Sequence, residues 1–155
     1  MQLQTAILGE INIDENYIIN FPEAIPGFPG ENKFVLIPLD DNSPFYYLQS
    51  VKTKDLCLIV ADPFTFFIDY EIDLDEESLQ KLEIIDETTN FTLYCILTIP
   101  EDFKKTTANL LGPVIINWDK KIGLQFIAQN SDYTTKHFIF PPSKSENLTA
   151  AREGL

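Results

Sequence analysis

Phe91-Thr92-Leu93-Tyr94-Cys95-Ile96-Leu97-Thr98 is the stretch whose reading decides the fold class. Its side chains alternate as those of a strand must, because successive residues point to opposite faces. Its middle, however, is apolar on both faces. A strand buried on both sides, inside a closed or two-layer sheet, reads that way.

Working outward, short runs rich in Ile, Val, Phe, Tyr and Thr recur along the chain, with Gly, Pro, Asn or Asp between them. Strands are expected at Leu3 to Leu8, Tyr17 to Phe21, Phe34 to Ile37, Phe45 to Val51, Leu56 to Ala61 and Phe64 to Ile68 before this stretch. After it they are expected at Asn109 to Leu111, Val114 to Trp118 and Leu124 to Gln129. Asp62-Pro63 and Gly112-Pro113 read as turns that stop strands. Asp119-Lys120-Lys121-Ile122-Gly123 reads as a hairpin loop with Gly in the left-handed position. One segment, Asp75 to Leu82, carries good helix formers, two leucines three apart and a cap at Asp73 or Asp75. The fold class expected is therefore all-β and mainly antiparallel, a compact β-barrel-like single domain with one short helix. That domain spans 1–140. Residues 141–155, after Pro141-Pro142, lack aromatics and read as a flexible C-terminal tail.

Composition bounds the function. The 155 residues hold 45% apolar types, twelve Phe and six Tyr, which argues for a packed core. Net charge is −13, so an unaided nucleic-acid binder is excluded and a basic partner is the electrostatic complement. Met1 to Thr5 shows no signal-peptide pattern, and Leu56-Cys57-Leu58-Ile59-Val60-Ala61 is far shorter than the ~20 residues of a membrane span. Cys57 and Cys95, each inside an apolar run, read as free thiols in a reducing compartment, so a cytoplasmic protein without a membrane anchor is expected.

The catalytic inventory is thin. His137 is the sole histidine and has no spaced Ser or Cys nucleophile beside it. Cys-x-x-Cys, His-x-x-x-His, Gly-x-Gly-x-x-Gly and Walker spacings are missing, so neither a transition metal nor a phosphate cofactor is expected. Asp69-Tyr70-Glu71-Ile72-Asp73-Leu74-Asp75 has the alternation of a calcium loop but not its glycine or closing glutamate. No enzyme is expected. The charge is concentrated instead: nine acids lie between Asp69 and Glu87 against Lys81, or −8 of the total. That stretch is either a solvated helix face or a docking or repelling surface for a charged partner. Asn109, Asn117 and Gln125 read as groups that satisfy backbone at strand ends.

Several strings taken together carry a family resemblance. They are Pro26-Gly27-Phe28-Pro29, Pro44-Phe45 with Leu48-Gln49-Ser50, and Asp62-Pro63-Phe64 with Asp69-Tyr70. Asn109-Leu110, Pro113-Val114-Ile115-Ile116-Asn117, Gly123, Gln125 and Tyr133 follow in order, covering Met1 to Phe140. In these the chain resembles the FliW family of bacterial flagellar assembly factors. The resemblance implies a non-catalytic β-barrel-like protein with two competing partners: flagellin, and CsrA, a small basic RNA-binding repressor of flagellin translation. Partner-binding candidates are Phe45, Gln49, Phe64, Tyr70, Asn109 and Asn117 in the matched strings, with Asp73, Glu76 and Glu77 in the acidic stretch. Of these, Phe45, Phe64 and Tyr70 are weighed for flagellin against a core role. The acids are weighed for CsrA, either as a phosphate mimic in its RNA groove or docked beside that groove. A lipocalin-like barrel for an apolar ligand and an acidic nucleic-acid mimic are the rival readings.

Overall fold

The Phe91–Thr98 stretch is a strand throughout, and it lies in the wall of a closed barrel. The structure, a computed structural model, describes residues 1–129 and 132–140. The expected tail at 141–155 lies outside the described residues. In chain order the elements are β1 (Gln2–Thr5), β2 (Gly9–Asn12), β3 (Ile19–Asn20), β4 (Lys33–Pro38), β5 (Phe45–Ser50) and β6 (Cys57–Ala61). Two short helices follow, α1 (Pro63–Phe66) and α2 (Glu76–Lys81). Then come β7 (Phe91–Thr98), β8 (Thr107–Asn117), β9 (Ile122–Gln125) and β10 (His137–Phe138). The order β8-β7-β6-β5-β4-β3-β9 returns to β8, which closes seven strands on themselves, and β10 pairs with the far end of β8. Among the described residues all strand pairings but one are antiparallel; β3 and β9 meet in parallel at the single pair Asn20↔Ile122. The barrel is therefore mixed.

The pattern of β7 has a direct cause. Tyr94 faces a core cluster with Ile19, Phe21, Phe34, Leu48, Val60, Val114 and Ile116, contributed around the barrel wall. Cys95 and Leu97 face the opposite way, into a cluster with Ala61, Tyr70, Ala108, Leu110 and Ile139. A third cluster of Leu82, Ile115, Leu124, Phe126 and Ala128 fills the space beneath α2. The segment from α1 through α2 thus covers the outside of β7 and β8 and makes both of their faces apolar.

Six local expectations need correcting. Leu124 to Gln129 is strand only through Gln125, and β9 starts two residues earlier, at Ile122. Phe64 to Ile68 is not a strand: Asp62 accepts the Phe64 N–H at 2.9 Å and Pro63 sits at the first helical position, so α1 starts there. Leu3 to Leu8 stops at Thr5, whose Oγ1 accepts the Leu8 N–H and donates to the Gly9 carbonyl, turning the chain. Tyr17 lies in a 3₁₀ turn capped by Asp14, which leaves Ile19–Asn20 as the strand. Gly112-Pro113 does not end a strand but sits in a bulge of one continuous β8, between the pairs Tyr94↔Val114 and Ile96↔Asn109. In the β8–β9 hairpin it is Lys121, at φ 56°, that takes the left-handed conformation. Gly123 is needed for another reason: a Cβ there would lie 2.4 Å from Phe21 Cζ. The expected helix is present, capped by Asp75, which accepts the Ser78 N–H at 2.7 Å.

Candidate functional site

The polar candidates Gln49, Asn109 and Asn117 are built into the scaffold. The buried Gln49 donates its amide to the Ser50, Thr53 and Lys54 carbonyls at 3.1–3.3 Å and holds the β5–β6 turn. Asn109 accepts the Gly112 N–H at 2.9 Å, while Gln125 donates to the Gly112 carbonyl at 2.9 Å, so the β8 bulge is pinned from two sides. Asn117 is fully buried. It donates to the Leu82 carbonyl at 2.7 Å and accepts from the Asp119 and Lys120 amides, tying the end of α2 to the β8–β9 hairpin. A buried amide that satisfies backbone groups at an irregular junction is the usual solution to their desolvation.

Tyr70 is also a structural anchor, at 5% exposure. Its hydroxyl donates to the Leu110 carbonyl at 2.8 Å, and burial raises its pKa above the ordinary tyrosine value. Tyr133 packs edge-on to it with ring centroids 4.8 Å apart and accepts the Glu71 N–H at 3.0 Å. His137 lies nearby against the Phe67 and Tyr133 rings, and its Nε2 accepts the Thr134 N–H at 2.8 Å. This ring props the loop that runs from Tyr133 to His137. Phe45 is half-buried against Phe66.

What reaches solvent is the outer face of the covering segment. Phe64 is 47% exposed, while Asp73, Glu76 and Glu77 project outward. Ile68 on the covering segment and Ile85 just after α2 are 86% and 84% exposed. Tyr70 lies between two clefts. One, of about 380 Å³, opens beside Phe66, Phe67, Leu110 and His137. The other, of about 450 Å³, is a groove between Phe64, Ile72 and Leu74 on one side and Phe91 and Leu93 on the other, with Glu71 at its rim. Sequence reasoning did not single out Ile72, Leu74, Phe91 or Leu93 as site residues. The signal was the Glu71-Ile72-Asp73-Leu74-Asp75 alternation, which places apolar side chains inward and carboxylates outward along an extended segment.

Electrostatics on this face are simple. Asp75 and Asp86 are held below the usual carboxylate range by hydrogen bonds from Ser78 and Thr88. Lys81 bridges Glu77 at 3.1 Å and Glu23 at 2.9 Å. The other acids of the stretch form no ion pair among the described residues, so their field is uncompensated. Desolvation pushes the Cys95 thiol up to about 12, which leaves it an inert core group. Among the described residues no group of His, Cys, Asp or Glu is arranged to hold a metal ion, and no helix is long and apolar enough to cross a membrane.

Comparison with known proteins agrees with this geometry. A protein-family model described as FliW protein matches residues 2–139. The chain is similar to the flagellar assembly factor FliW of Syntrophomonas wolfei, 49% identical over 99% of this chain and all of that protein. It is similar to FliW of a Geobacillus species at 47% and of Bacillus subtilis at 45% identity, covering 91% and 90% of this chain and 96% of each relative. A crystal structure of the flagellar assembly factor FliW superposes with a TM-score of 0.86 at 43% identity, covering 92% of this chain and 99% of the other. With the closed barrel, its helical cover and near-full-length identity in agreement, this chain belongs to the FliW family of non-enzymatic flagellar assembly factors.

Proposed function

We propose that this protein works in the cytoplasm as a partner-exchange regulator: it binds CsrA and relieves repression of flagellin translation, and flagellin displaces it from CsrA. The observation that carries this reading is the groove beside Phe64 and Phe91, set next to an acidic stretch of net charge −8. Its apolar walls suit a subunit that hides sticky surface until assembly. The acids suit a basic RNA-binding protein. Ligand binding inside the barrel is disfavoured, because the interior is filled by Phe21, Phe34, Leu48, Val60 and their neighbours. No cofactor and no direct nucleic-acid contact enter this scheme.

The acids lie on a short helix and its flanks, a compact patch rather than a track of phosphate-like spacing. Docking beside the RNA path, with repulsion of RNA at short range, fits such a patch better than mimicry. At physiological salt a field is screened beyond about 8 Å, so the dock must lie close to the RNA path. The test neutralises Asp73, Glu76 and Glu77 together. Their side chains are exposed and Lys81 keeps Glu23 as a partner, so the fold is retained. CsrA association is expected to slow about tenfold at low salt, lose salt dependence and exclude RNA less well. Binding and RNA displacement equal to the parent protein at every salt concentration would show the acids to be only a solvated face.

A further inference from the structure

Among the described residues the first half of β7 leaves an open edge in the barrel wall, and it runs along the groove. The Trp118 N–H donates to the Asn90 carbonyl at 2.8 Å, and the register Phe91↔Asn117 through Tyr94↔Val114 continues from it. In an antiparallel ladder alternate residues turn their N–H and C=O to the same neighbour. Asn90, Thr92 and Tyr94 therefore bond toward β8, and Phe91, Leu93 and Cys95 face the other way. Cys95 finds Ala61 there. Continuing that register would set Pro63 against Leu93, but Pro63 has no N–H and Asp62 has already turned the chain into α1. β6 and β7 share the pairs Val60↔Ile96 and Ala61↔Cys95, and the turn into α1 ends their ladder on the Leu93 side. Beyond them no described strand pairs with Phe91 or Leu93 on this side.

We infer that this edge of β7 is a strand-adding dock for an extended segment of a partner protein in which apolar residues alternate with lysine or arginine. Unpaired N–H and C=O groups along an edge are complementary to another backbone, not to a side chain or a small apolar ligand. An added strand presents alternate side chains to one face. Side chains on the groove face meet Phe64, Ile72, Leu74 and Phe91; Glu71 lines the same groove, and Asp73 and Asp75 are exposed on the segment that continues from it. Charge complementarity fixes the sign of the segment. The inference deepens the proposed docking reading, and it names how the partner chain is held.

The test uses the full chain and hydrogen exchange followed residue by residue. The probe is an end-blocked synthetic peptide of about six residues alternating isoleucine and lysine. At a concentration about ten times its Kd it is expected to slow exchange of the Phe91 and Leu93 amides about tenfold. The same peptide N-methylated at alternate residues, so that one edge carries no donors, is expected to bind at least about tenfold more weakly. Phe91→Pro removes one edge donor at a first-strand position that tolerates proline, so it is expected to fold and to bind more weakly than Phe91→Ala. Equal binding of both peptides, protection confined to other residues, or no binding at all would overturn the inference. Exchange is also followed with CsrA and with flagellin. If both proteins bind and compete while Phe91 and Leu93 stay unprotected, strand addition is wrong and the docking reading survives. If neither protein binds, the proposed function itself fails.

Discussion

Replacing Asn117 by Asp changes one NH2 group into an oxygen and tests how the acidic helix is held to the barrel. The amide nitrogen is 2.7 Å from the Leu82 carbonyl and 3.4 Å from that of Glu83, with the residue fully buried. In N117D the donor is lost, about 1 kcal/mol, and a buried charged oxygen faces two carbonyls, a further ~1–3 kcal/mol. The total at neutral pH is about 3 kcal/mol, or a fall in Tm of roughly 6–12 °C at this chain length. The other oxygen still accepts the Asp119 and Lys120 amides at 3.0 and 3.3 Å, which favours the ionised form. The 2.7 Å repulsion and complete desolvation outweigh those two longer bonds, so the introduced carboxyl has a raised folded pKa. Its penalty is then fully present above that pKa and disappears as pH falls toward the ordinary Asp value of about 3.9, where the protonated group can donate to Leu82. Urea unfolding followed by the single tryptophan, Trp118, should show the gap to the parent narrowing from about 3 to about 1 kcal/mol between pH 8 and pH 4. A gap that widens at low pH would mean that the hairpin amides win, and a gap under about 0.5 kcal/mol would refute the anchoring role altogether.

Two further predictions concern the same scaffold. Gly123→Ala drives a methyl onto the buried Phe21 ring, with three ring carbons within 2.7 Å, and should destabilise the protein by about 1–3 kcal/mol; Phe21→Leu in that background should recover part of the loss, and a neutral thermal melt would refute the packing argument. The Glu31 carboxylate accepts hydrogen bonds from Thr53 and from Ser50, the latter at 2.7 Å, and these hold its pKa below the usual value. Its stabilisation is therefore present above the unfolded value of about 4.3 and is lost as pH falls through the lower folded value, so Glu31→Gln should flatten the acid limb of the stability curve. An unchanged limb in denaturant titrations would count against it.

How much of this was legible in the sequence depended on whether the deciding partner was near in the chain. The two-sided apolar pattern of β7 announced a covered sheet, and Asp75 with its helix formers announced α2. Both are local. The aromatic run after Pro63 carried two signals that conflicted, β-propensity in Phe64 to Phe67 and a helix start in Asp62-Pro63, and the cap prevailed. Gly112-Pro113 reads as a break until Gln125 and Asn109 are seen to hold the bulge from outside. Gln49, Asn109 and Asn117 look alike whether they meet a partner or a backbone carbonyl, because burial is not written in residue type. The groove was the least legible part. Its existence follows from where β6 ends relative to β7, which is a matter of register between distant segments.

The meeting of β3 and β9 at one residue pair also has a kinetic consequence. The meanders β4-β5-β6 and β7-β8-β9 are local in sequence and can assemble early, whereas the Asn20↔Ile122 seam joins the two ends of the barrel. Contacts so remote bear the largest chain-closure entropy and form late. Interactions absent from the folding transition state set how fast the native state opens rather than how fast it forms. Phe21 and Gly123, packed together at that seam, thus govern the lifetime of the closed barrel, and with it how long the α1–α2 face stays assembled between one partner and the next.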